Sequence, residues 1–332
     1  MGKYLKLALI TIIVGIVAFL LIAGLNDFEN LVKSLKKIDL TFLILGIFVI
    51  FLRWMVESII LVILGDGKVL TLGRAFSTIM IGQFFNSITP FATGGQPAQV
   101  YYMSKLGLDV SDGVALLTGK FIIYQLVLTF YSLGILIFKF KEVAREVPTL
   151  PFLSFAGFLL NTSIIFLLVL FSYKPAITRK LVGFILKILK KLKLKVFEEA
   201  VFDKLSMFHE IMKDYISRPF LLISVFSLTF LQLLLNFSIP YFVGLSLGVK
   251  NISYSKVIAF QSVLFLTLAF IPTPGTTGAA EGGFYLFFKP IFGLERIALG
   301  MIIWRFLSYY LGLILGFVFL TRFKNVGGKM EE

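Results

Sequence analysis

Long apolar runs separated by short polar segments dominate this chain. A run of about 20 apolar residues is long enough to cross the hydrocarbon core of a bilayer as a helix. The runs predict six full membrane-spanning helices, at residues 5–25, 40–64, 112–138, 150–172, 219–247 and 295–321. The first run follows Lys3 and Lys6, but it is longer than the apolar core of a signal peptide, so we interpret it as a retained span.

Two further apolar stretches, residues 75–107 and 257–291, are each interrupted by Pro and Gly. Each is shorter than the roughly 40 residues needed to cross a bilayer twice, so we expect two re-entrant helical hairpins. Non-helical backbone at membrane depth must be satisfied by protein or water, so the breaks at 90–95 and 272–278 should face an interior cavity. The predicted fold is an all-α polytopic membrane protein that forms one membrane domain over residues 1–332.

The two interrupted stretches repeat one another. Thr-Pro at 89–90 recurs at 273–274, Gly-Leu at 107–108 recurs at 293–294, and Lys120 recurs as Arg305. The offsets stay between 184 and 186 residues, which favours an internal repeat with cores at 75–138 and 257–321. Broken segments at corresponding positions of two halves are typical of transporter binding sites.

Composition and charge set the orientation. The chain is 58% hydrophobic with a mean hydropathy of +0.95, contains no Cys, and has a net charge of +14. With the N-terminus inside, most Lys and Arg fall on cytoplasmic segments, as the positive-inside rule requires. Both termini are then cytoplasmic in a plasma (inner) membrane, and the two hairpins enter from opposite faces, so that the repeats are inverted.

A basic segment at 174–218 joins the two halves. Its lysines alternate with apolar residues at helical spacing, which predicts an amphipathic cytoplasmic helix lying over anionic lipid. The alternative is a topology determinant that only connects the repeats. Nucleic acid is not implied as a partner, because the basic residues follow the membrane topology and 11 of the 32 Lys and Arg lie in this one segment. The residues concerned are Lys187, Lys190, Lys191, Lys193 and Lys195, with Leu181, Ile185, Ile188, Leu189 and Leu192.

Lys120 and Arg305 should both lie near the bilayer midplane, where each unpaired cation costs about 2.5–3.5 kcal/mol. We expect Glu281 to be the anionic partner of one of them, and substitutions at the two cations to act alike. A polar cavity with surplus positive charge suits a phosphate or a similar anion. Alternatively, Glu281 only neutralises a buried cation and locks the hairpins. Arg53 and Glu57 are predicted to be a local pair outside the main site.

The other candidate binding residues are polar, aromatic or conformationally special residues at the breaks and beside the cations. They are Asn86, Thr89, Gly94, Gly95, Gln96, Gln99, Tyr124, Pro274, Gly275, Thr276, Gly278 and Tyr309. The polar ones could instead satisfy only the backbone groups that the breaks leave free. Neither a phosphate-binding loop nor a hydrolase or zinc-protease motif is present, so we predict no enzyme activity, no ATP use, no metal site and no cofactor.

The hairpin sequences resemble a known family. The first contains Asn86-x-x-x-Pro90 and Gly94-Gly95-Gln96-Pro97, and the second contains Pro272-x-Pro274-Gly275-x-x-Gly278-x-x-Glu281-Gly282-Gly283-Phe284. This pattern is similar to the lysylphosphatidylglycerol synthase transmembrane-region family, which includes the flippase half of multiple peptide resistance factors. The family often has an acidic residue at the position of Gln96 and an Arg at that of Gln99, so this chain departs from it there.

The resemblance implies a lipid flippase or a transporter of lipid head groups. Together with the buried cations, it predicts that an anionic lipid moves through a midplane cavity lined by Lys120, Arg305, Glu281 and the hairpins. Two alternatives remain: a non-transporting subunit that binds a polyprenyl phosphate or glycolipid for a glycosyltransferase, and a small-anion secondary transporter. Membrane lipids are the expected partners, and a second copy of the chain or a membrane enzyme is left open.

Overall fold

The structure is a computed structural model that describes residues 13, 17, 35–67, 69–139, 150–191, 198–268 and 271–327. Almost all of the predicted span at 5–25, and the loop at 140–149, lie outside these ranges. The described residues form helices joined by turns, with no strand among them. The expected all-α class is therefore confirmed for this part of the chain.

The helices are numbered here in chain order, and α11 continues through a π-helical turn at Phe306–Tyr310 into α12. They are α1 Leu40–Leu64, α2 Leu72–Ile88, α3 Gly95–Lys105, α4 Val110–Phe138, α5 Leu150–Tyr173, α6 Pro175–Lys191, α7 Glu198–Ser217, α8 Pro219–Ser246, α9 Tyr254–Leu268, α10 Ala279–Phe292, α11 Leu294–Arg305 and α12 Leu311–Gly327.

Five helical stretches are long and apolar enough to cross a membrane. They are Leu40–Leu64, Val110–Tyr131, Phe155–Tyr173, Pro219–Ser246 and Leu294–Arg322. These agree with five of the predicted spans, and the sixth, at 5–25, falls outside the described residues. The protein is a multi-pass membrane protein by length and composition of these helices.

Each interrupted stretch is a helix, a short turn and a second helix. In the first, α2 and α3 flank the 3₁₀ turn Pro90–Ala92, and in the second, α9 and α10 flank Pro274–Thr276. Phe91 (φ 53°, ψ 17°) and Gly275 (φ 58°, ψ 21°) share one left-handed backbone conformation. The two turns contact each other, so the tips of the two units meet inside the protein.

The two units open at opposite ends of the helix bundle. At one end, Tyr215 in α7 donates a hydrogen bond to the Leu64 carbonyl, 2.8 Å away. Lys204 in α7 pairs with Asp109, which follows the first unit. At the other end, the Asp39 N–H donates to the Ser246 carbonyl at the end of α8. The second unit starts and finishes there, because α9 directly follows the end of α8.

The predicted amphipathic helix corresponds to α6 and is followed by a second helix, α7, in the basic segment. Leu181, Ile185 and Ile188 of α6 are exposed, at 44%, 45% and 44%, whereas Leu186 is buried. An exposed apolar stripe beside lysines is the pattern expected of a helix at a membrane surface. Residues 192–197 of this segment lie outside the described ranges.

Aromatic side chains pack the interior around the second unit. Phe284 stacks on Trp304 and on Phe288, with ring centroids 4.5 Å apart in both pairs. Phe260 and Phe292 pack edge-on against the same cluster. This packing fixes α10 against α11, and it holds the end of α11 at the meeting point of the two tips.

Candidate functional site

A cavity of about 630 Å³ lies where the two tips meet α1, α4, α8 and α11. Four charged residues line it: Arg53, Glu57, Lys120 and Arg305. Seven carboxamide residues also line it, namely Gln83, Asn86, Gln96, Gln99, Gln232, Asn236 and Gln261. Polar groups are costly to bury at membrane depth. A cluster of them between apolar helices therefore indicates a binding site or a conduction path.

Arg305 ends α11 and holds the tip of the second unit. Its Nε lies 2.8 Å from Glu281 Oε1, in an ion pair without the alignment of a directed hydrogen bond. Its Nη2 donates to the Gly275 carbonyl at 2.6 Å. The guanidinium also lies over the ring of Tyr309, 4.1 Å from its centroid. Arg305 is therefore held by charge, by a backbone acceptor and by an aromatic face.

Glu281 and Tyr309 extend this arrangement beyond the cation. Glu281 Oε2 accepts a hydrogen bond from the Gly278 N–H at 2.7 Å and so caps the start of α10. The Tyr309 hydroxyl donates to the Ser87 carbonyl at 2.8 Å, which connects the second half of the chain to the end of α2. The Tyr309 side chain thus contacts both halves: its ring lies against Arg305, and its hydroxyl bonds to the end of α2.

Lys120 pairs with Glu57, an acid that the sequence did not suggest as its partner. Its Nζ donates to Glu57 Oε1 at 2.6 Å, and Arg53 Nη2 lies 3.3 Å from Glu57 Oε2. Glu281 therefore pairs with Arg305 and not with Lys120. The expectation that Arg53 and Glu57 lie outside the main site is wrong, because the buried face of α1 that carries Glu57 packs against α4 in the cavity wall.

Among the described residues, the ionic groups at the cavity leave an excess of one positive charge. Three cations, Arg53, Lys120 and Arg305, face two carboxylates, Glu57 and Glu281. The surplus expected from the sequence is present, but Arg53 and Glu57 belong to the set that produces it. An excess positive charge shielded from bulk water favours binding of an anion.

The first tip closes upon itself. Asn86 Oδ1 accepts from the Gly95 N–H at 2.9 Å, and Thr89 Oγ1 accepts from the Gly94 N–H at 2.9 Å. Gln99 Nε2 donates to the Thr78 carbonyl at 3.3 Å. A Cβ on Gly95 would lie 2.1 Å from Asn86 Oδ1, so this close approach requires glycine. Asn86 and Thr89 therefore satisfy backbone groups that the break leaves free, as the alternative interpretation predicted, whereas Gln99 bonds to a carbonyl within helix α2.

Nine of the predicted site residues line the cavity, and six lie behind it. The nine are Asn86, Gln96, Gln99, Lys120, Tyr124, Gly275, Thr276, Arg305 and Tyr309. The six shape the tips from behind and are Thr89, Gly94, Gly95, Pro274, Gly278 and Glu281.

Sequence reasoning missed most of the polar residues that line the cavity from within a helix rather than from a break. Besides Arg53 and Glu57, these are Gln83, Gln232, Asn236, Gln261, Trp304 and Ser308. Gln232 and Asn236 stand four residues apart in the apolar run of α8, a spacing that places them on one helix face. Polar residues on one face of a membrane helix were the available signal.

A comparison with protein families shows which family this chain belongs to. The family described as Lysylphosphatidylglycerol synthase TM region matches residues 5–316. The chain belongs to this family. The matched residues contain both helix–turn–helix units and every residue that lines the cavity. A comparison with curated proteins found no match to the chain.

The arrangement of groups in the cavity is suited to binding. Within the described ranges, no three His, Cys, Asp or Glu side chains converge as a metal site requires. What the cavity offers is cations, the carboxylates paired with them, and many hydrogen-bonding amides. Groups of this kind are chemically suited to binding an anion.

Proposed function

We propose that the protein is a flippase that moves an anionic phospholipid head group through the cavity, without ATP, by alternating access of two inverted repeats. The observation that carries the proposal is the excess positive charge at the point where the two tips meet. The shared backbone conformation of Phe91 and Gly275, and the opposite open ends of the two units, support the repeat. Membership of a membrane-lipid family is compatible with such a role.

In this mechanism the two carboxylates compete with the lipid phosphate for the cations. A phosphate that enters the cavity forms charge-assisted hydrogen bonds with Arg53 and Lys120 while Glu57 is displaced. Arg305 stays anchored to the Gly275 carbonyl and contributes from the other side. Return of Glu57 to Lys120 releases the phosphate, so that binding remains weak enough for transport. The concentration difference of the lipid between leaflets sets the direction.

Sealed liposomes containing the purified chain test the proposal. A fluorescent phosphatidylglycerol in the inner leaflet should reach an external quencher much faster than in empty liposomes, with no nucleotide added. Lys120→Gln and Arg53→Gln should each slow this movement. Lys204→Gln is the matched control, because Lys204 is 49% exposed and pairs with Asp109 away from the cavity.

Two results would replace the proposal with one of its alternatives. Tight binding of polyprenyl phosphate or glycolipid, with every lipid's flip rate at the empty-liposome level, would favour a non-transporting subunit. Uptake of inorganic phosphate or another small anion without lipid movement would favour a solute transporter. Variants at Lys120 should weaken lipid binding in the first case and anion uptake in the second. The Lys120 variants therefore do not separate these functions from a flippase, and the lipid flip rate does.

The proposed topology can be tested separately, because the chain contains no Cys. With both termini cytoplasmic in the plasma (inner) membrane, single Cys probes at 248–253 should react with a membrane-impermeant reagent added outside cells. Probes at 66–67 and at 325–327 should react only after permeabilisation. Labelling of both groups from the same side would contradict the inverted arrangement.

A further inference from the structure

The tips of the two units contain the same local hydrogen bonds. In the first tip, the N–H and the hydroxyl of Thr93 both donate to the Pro90 carbonyl, at 3.2 and 3.0 Å. In the second tip, the N–H and the hydroxyl of Thr277 donate to the Pro274 carbonyl, at 3.2 and 2.8 Å. Yet Thr93 is exposed, whereas Thr277 is buried with an exposure of 6%. Because the local bonds are the same, this difference comes from what each tip contacts.

Two side chains hold the second tip. Arg305 Nη2 donates to the Gly275 carbonyl at 2.6 Å and to the Thr277 hydroxyl at 3.4 Å. The Tyr309 hydroxyl donates to the Ser87 carbonyl, and its ring occupies the space that a Cβ on Gly275 would need. We call these contacts of Arg305 and Tyr309 the second latch. They hold the second tip against α2, which it contacts.

The first half has side chains at the corresponding positions, and neither of them holds a tip. Lys120 and Tyr124 precede Arg305 and Tyr309 by 185 residues each. Lys120 is bonded to Glu57 on α1 instead of to the first tip. Tyr124 is half-buried and lines the cavity, and in the described part of the chain no group hydrogen-bonds its hydroxyl. One of the two side chains is therefore held elsewhere, and the other has no polar partner.

The acceptors for an equivalent latch on the first tip are in place. Phe91 corresponds to Gly275, and Ile271 corresponds to Ser87, in each case with an offset of 184 residues. Because Phe91 shares the left-handed φ and ψ of Gly275, its carbonyl has the same direction relative to its turn. Phe91 and Ile271 line the same cavity as the lysine and the tyrosine of the first half. Within the described ranges, no side chain bonds either carbonyl.

We infer that Lys120 and Tyr124 are positioning residues that form a first latch when the second latch opens. Lys120 then donates to the Phe91 carbonyl, and Tyr124 donates to the Ile271 carbonyl. A site between two repeats opens alternately to either side, so one tip is held while the other is free. The structure is the state in which the second tip is held. The inference rests on the proposed function and names the side chains that switch it between states.

The first latch is the weaker of the two, because no acid supports it. Glu281, in the first turn of α10, pairs with the cation of the second latch at 2.8 Å. The first turn of α3 contains Gln96 instead, which is neutral and lines the cavity. When Lys120 leaves Glu57, Arg53 remains 3.3 Å from that carboxylate and still compensates its charge. The protein therefore rests with the second latch closed, and exchange stays possible.

Two variants that each remove one hydroxyl and keep the ring test this exchange. Tyr309→Phe weakens the second latch, so it should shift the population towards the first latch roughly two- to tenfold. Tyr124→Phe should shift the population by a similar factor in the opposite direction, although its hydroxyl has no partner in this structure. The double variant should lie near the wild type. Tyr310→Phe is the control, because Tyr310 does not line the cavity.

Single cysteines measure the population, because the chain contains no Cys of its own. Thr93→Cys reports the first tip, and Thr277→Cys reports the second. In detergent micelles, where a small maleimide reaches both sides, the rate at position 277 divided by the rate at position 93 rises as the second tip is freed. Tyr309→Phe should raise this ratio roughly two- to tenfold, and Tyr124→Phe should lower it by a similar factor.

The direction of each change decides the result. A ratio that Tyr124→Phe leaves unchanged, or that both variants shift in the same direction, would overturn the inference. General loosening does not imitate the expected result, because it exposes both tips together. If lipids move in liposomes while the ratio stays constant, the latches fail and transport stands. If no lipid moves while the two variants shift the ratio in opposite directions, the latches alternate and the proposed function fails.

Discussion

Lys120 and Arg305 occupy corresponding positions in the two halves, yet the protein holds them in different ways. All the polar partners of Arg305 belong to the hairpin that precedes it: Gly275, Thr277 and Glu281. The acidic partner of Lys120 comes from α1, and the first tip closes without Lys120. Equal spacing along the chain has therefore not produced equal surroundings.

The difference changes what each cation stabilises. Arg305 holds its own tip, so the second unit depends on a buried ion pair with side-chain exposures of 8% and 3%. Lys120 joins α4 to α1, and Glu57 has Arg53 as a second cationic partner. Consequently, we no longer expect substitutions at the two cations to act alike. The following predictions test this comparison, from the largest expected effect to the smallest.

Glu281→Gln should have the largest effect, a loss of about 3–5 kcal/mol in the free energy of unfolding, because it leaves Arg305 as an uncompensated buried charge. Chemical denaturation in detergent micelles measures it, with Glu210→Gln on the exposed face of α7 as the control. The double variant Glu281→Gln/Arg305→Gln should regain most of the loss. A double variant no more stable than Glu281→Gln would show that charge compensation is not the reason.

Gly275→Ala should destabilise by about 2–4 kcal/mol, from left-handed backbone strain and overpacking. A Cβ there would lie 2.2 Å from the ring of Tyr309. The corresponding change in the first tip, Phe91→Gly, removes a side chain from a left-handed position and should stay within about 1 kcal/mol. Thermal unfolding of the two variants measures the contrast, and equal losses would mean that the tips are constrained in the same way.

Lys120→Met should cost about 1.5–3 kcal/mol, less than Glu281→Gln, because Arg53 still neutralises Glu57. Double-mutant cycles provide the sharper measurement. The coupling free energy between Lys120 and Glu57 should exceed about 1 kcal/mol, whereas that between Lys120 and Glu281 should stay below about 0.5 kcal/mol. Strong coupling to Glu281 instead would favour the other of the two pairings that the sequence left open for Glu281.

Tyr309→Phe should have the smallest effect, about 1 kcal/mol, since it removes one hydrogen bond to the Ser87 carbonyl. The ring that lies beside Arg305 is retained. Tyr310→Phe is the neighbouring control and should cost less, because Tyr310 does not connect the two tips. Equal unfolding free energies for wild type and Tyr309→Phe would show that this bridge contributes nothing to holding the tips together.

The sequence predicted the parts of the fold that local chemistry determines. Hydropathy located five of the described helices, and Pro90 and Pro274 located both turns because proline interrupts a helix. The sequence also pointed to Glu281 as the acid that pairs with a buried cation, although it left open whether that cation is Arg305 or Lys120. These signals depend on runs and short spacings, which a single sequence displays directly.

The partners of the long helices could not be predicted in this way. Lipid is as apolar as the protein interior, so a membrane helix has no strong hydrophobic face that shows where it packs. Glu57 therefore looked like the local partner of Arg53, and the pairing of Lys120 with an acid 63 residues earlier was hidden. Gln261 and Trp304 were missed for the same reason, because nothing local distinguishes a cavity-facing position from a lipid-facing one.

The π-helical turn at Phe306–Tyr310 separates two interfaces of one continuous helix. A wider turn adds one residue to the helical repeat, which rotates everything after it by about 100° relative to a regular α-helix. Trp304 and Arg305 can then face the cavity while Gly316, further along, approaches Met80 and Phe84 of α2 so closely that any Cβ would clash. The face of this helix that lines the cavity and the face that packs against α2 are therefore set separately. A substitution on one face need not rotate the other away from its contacts.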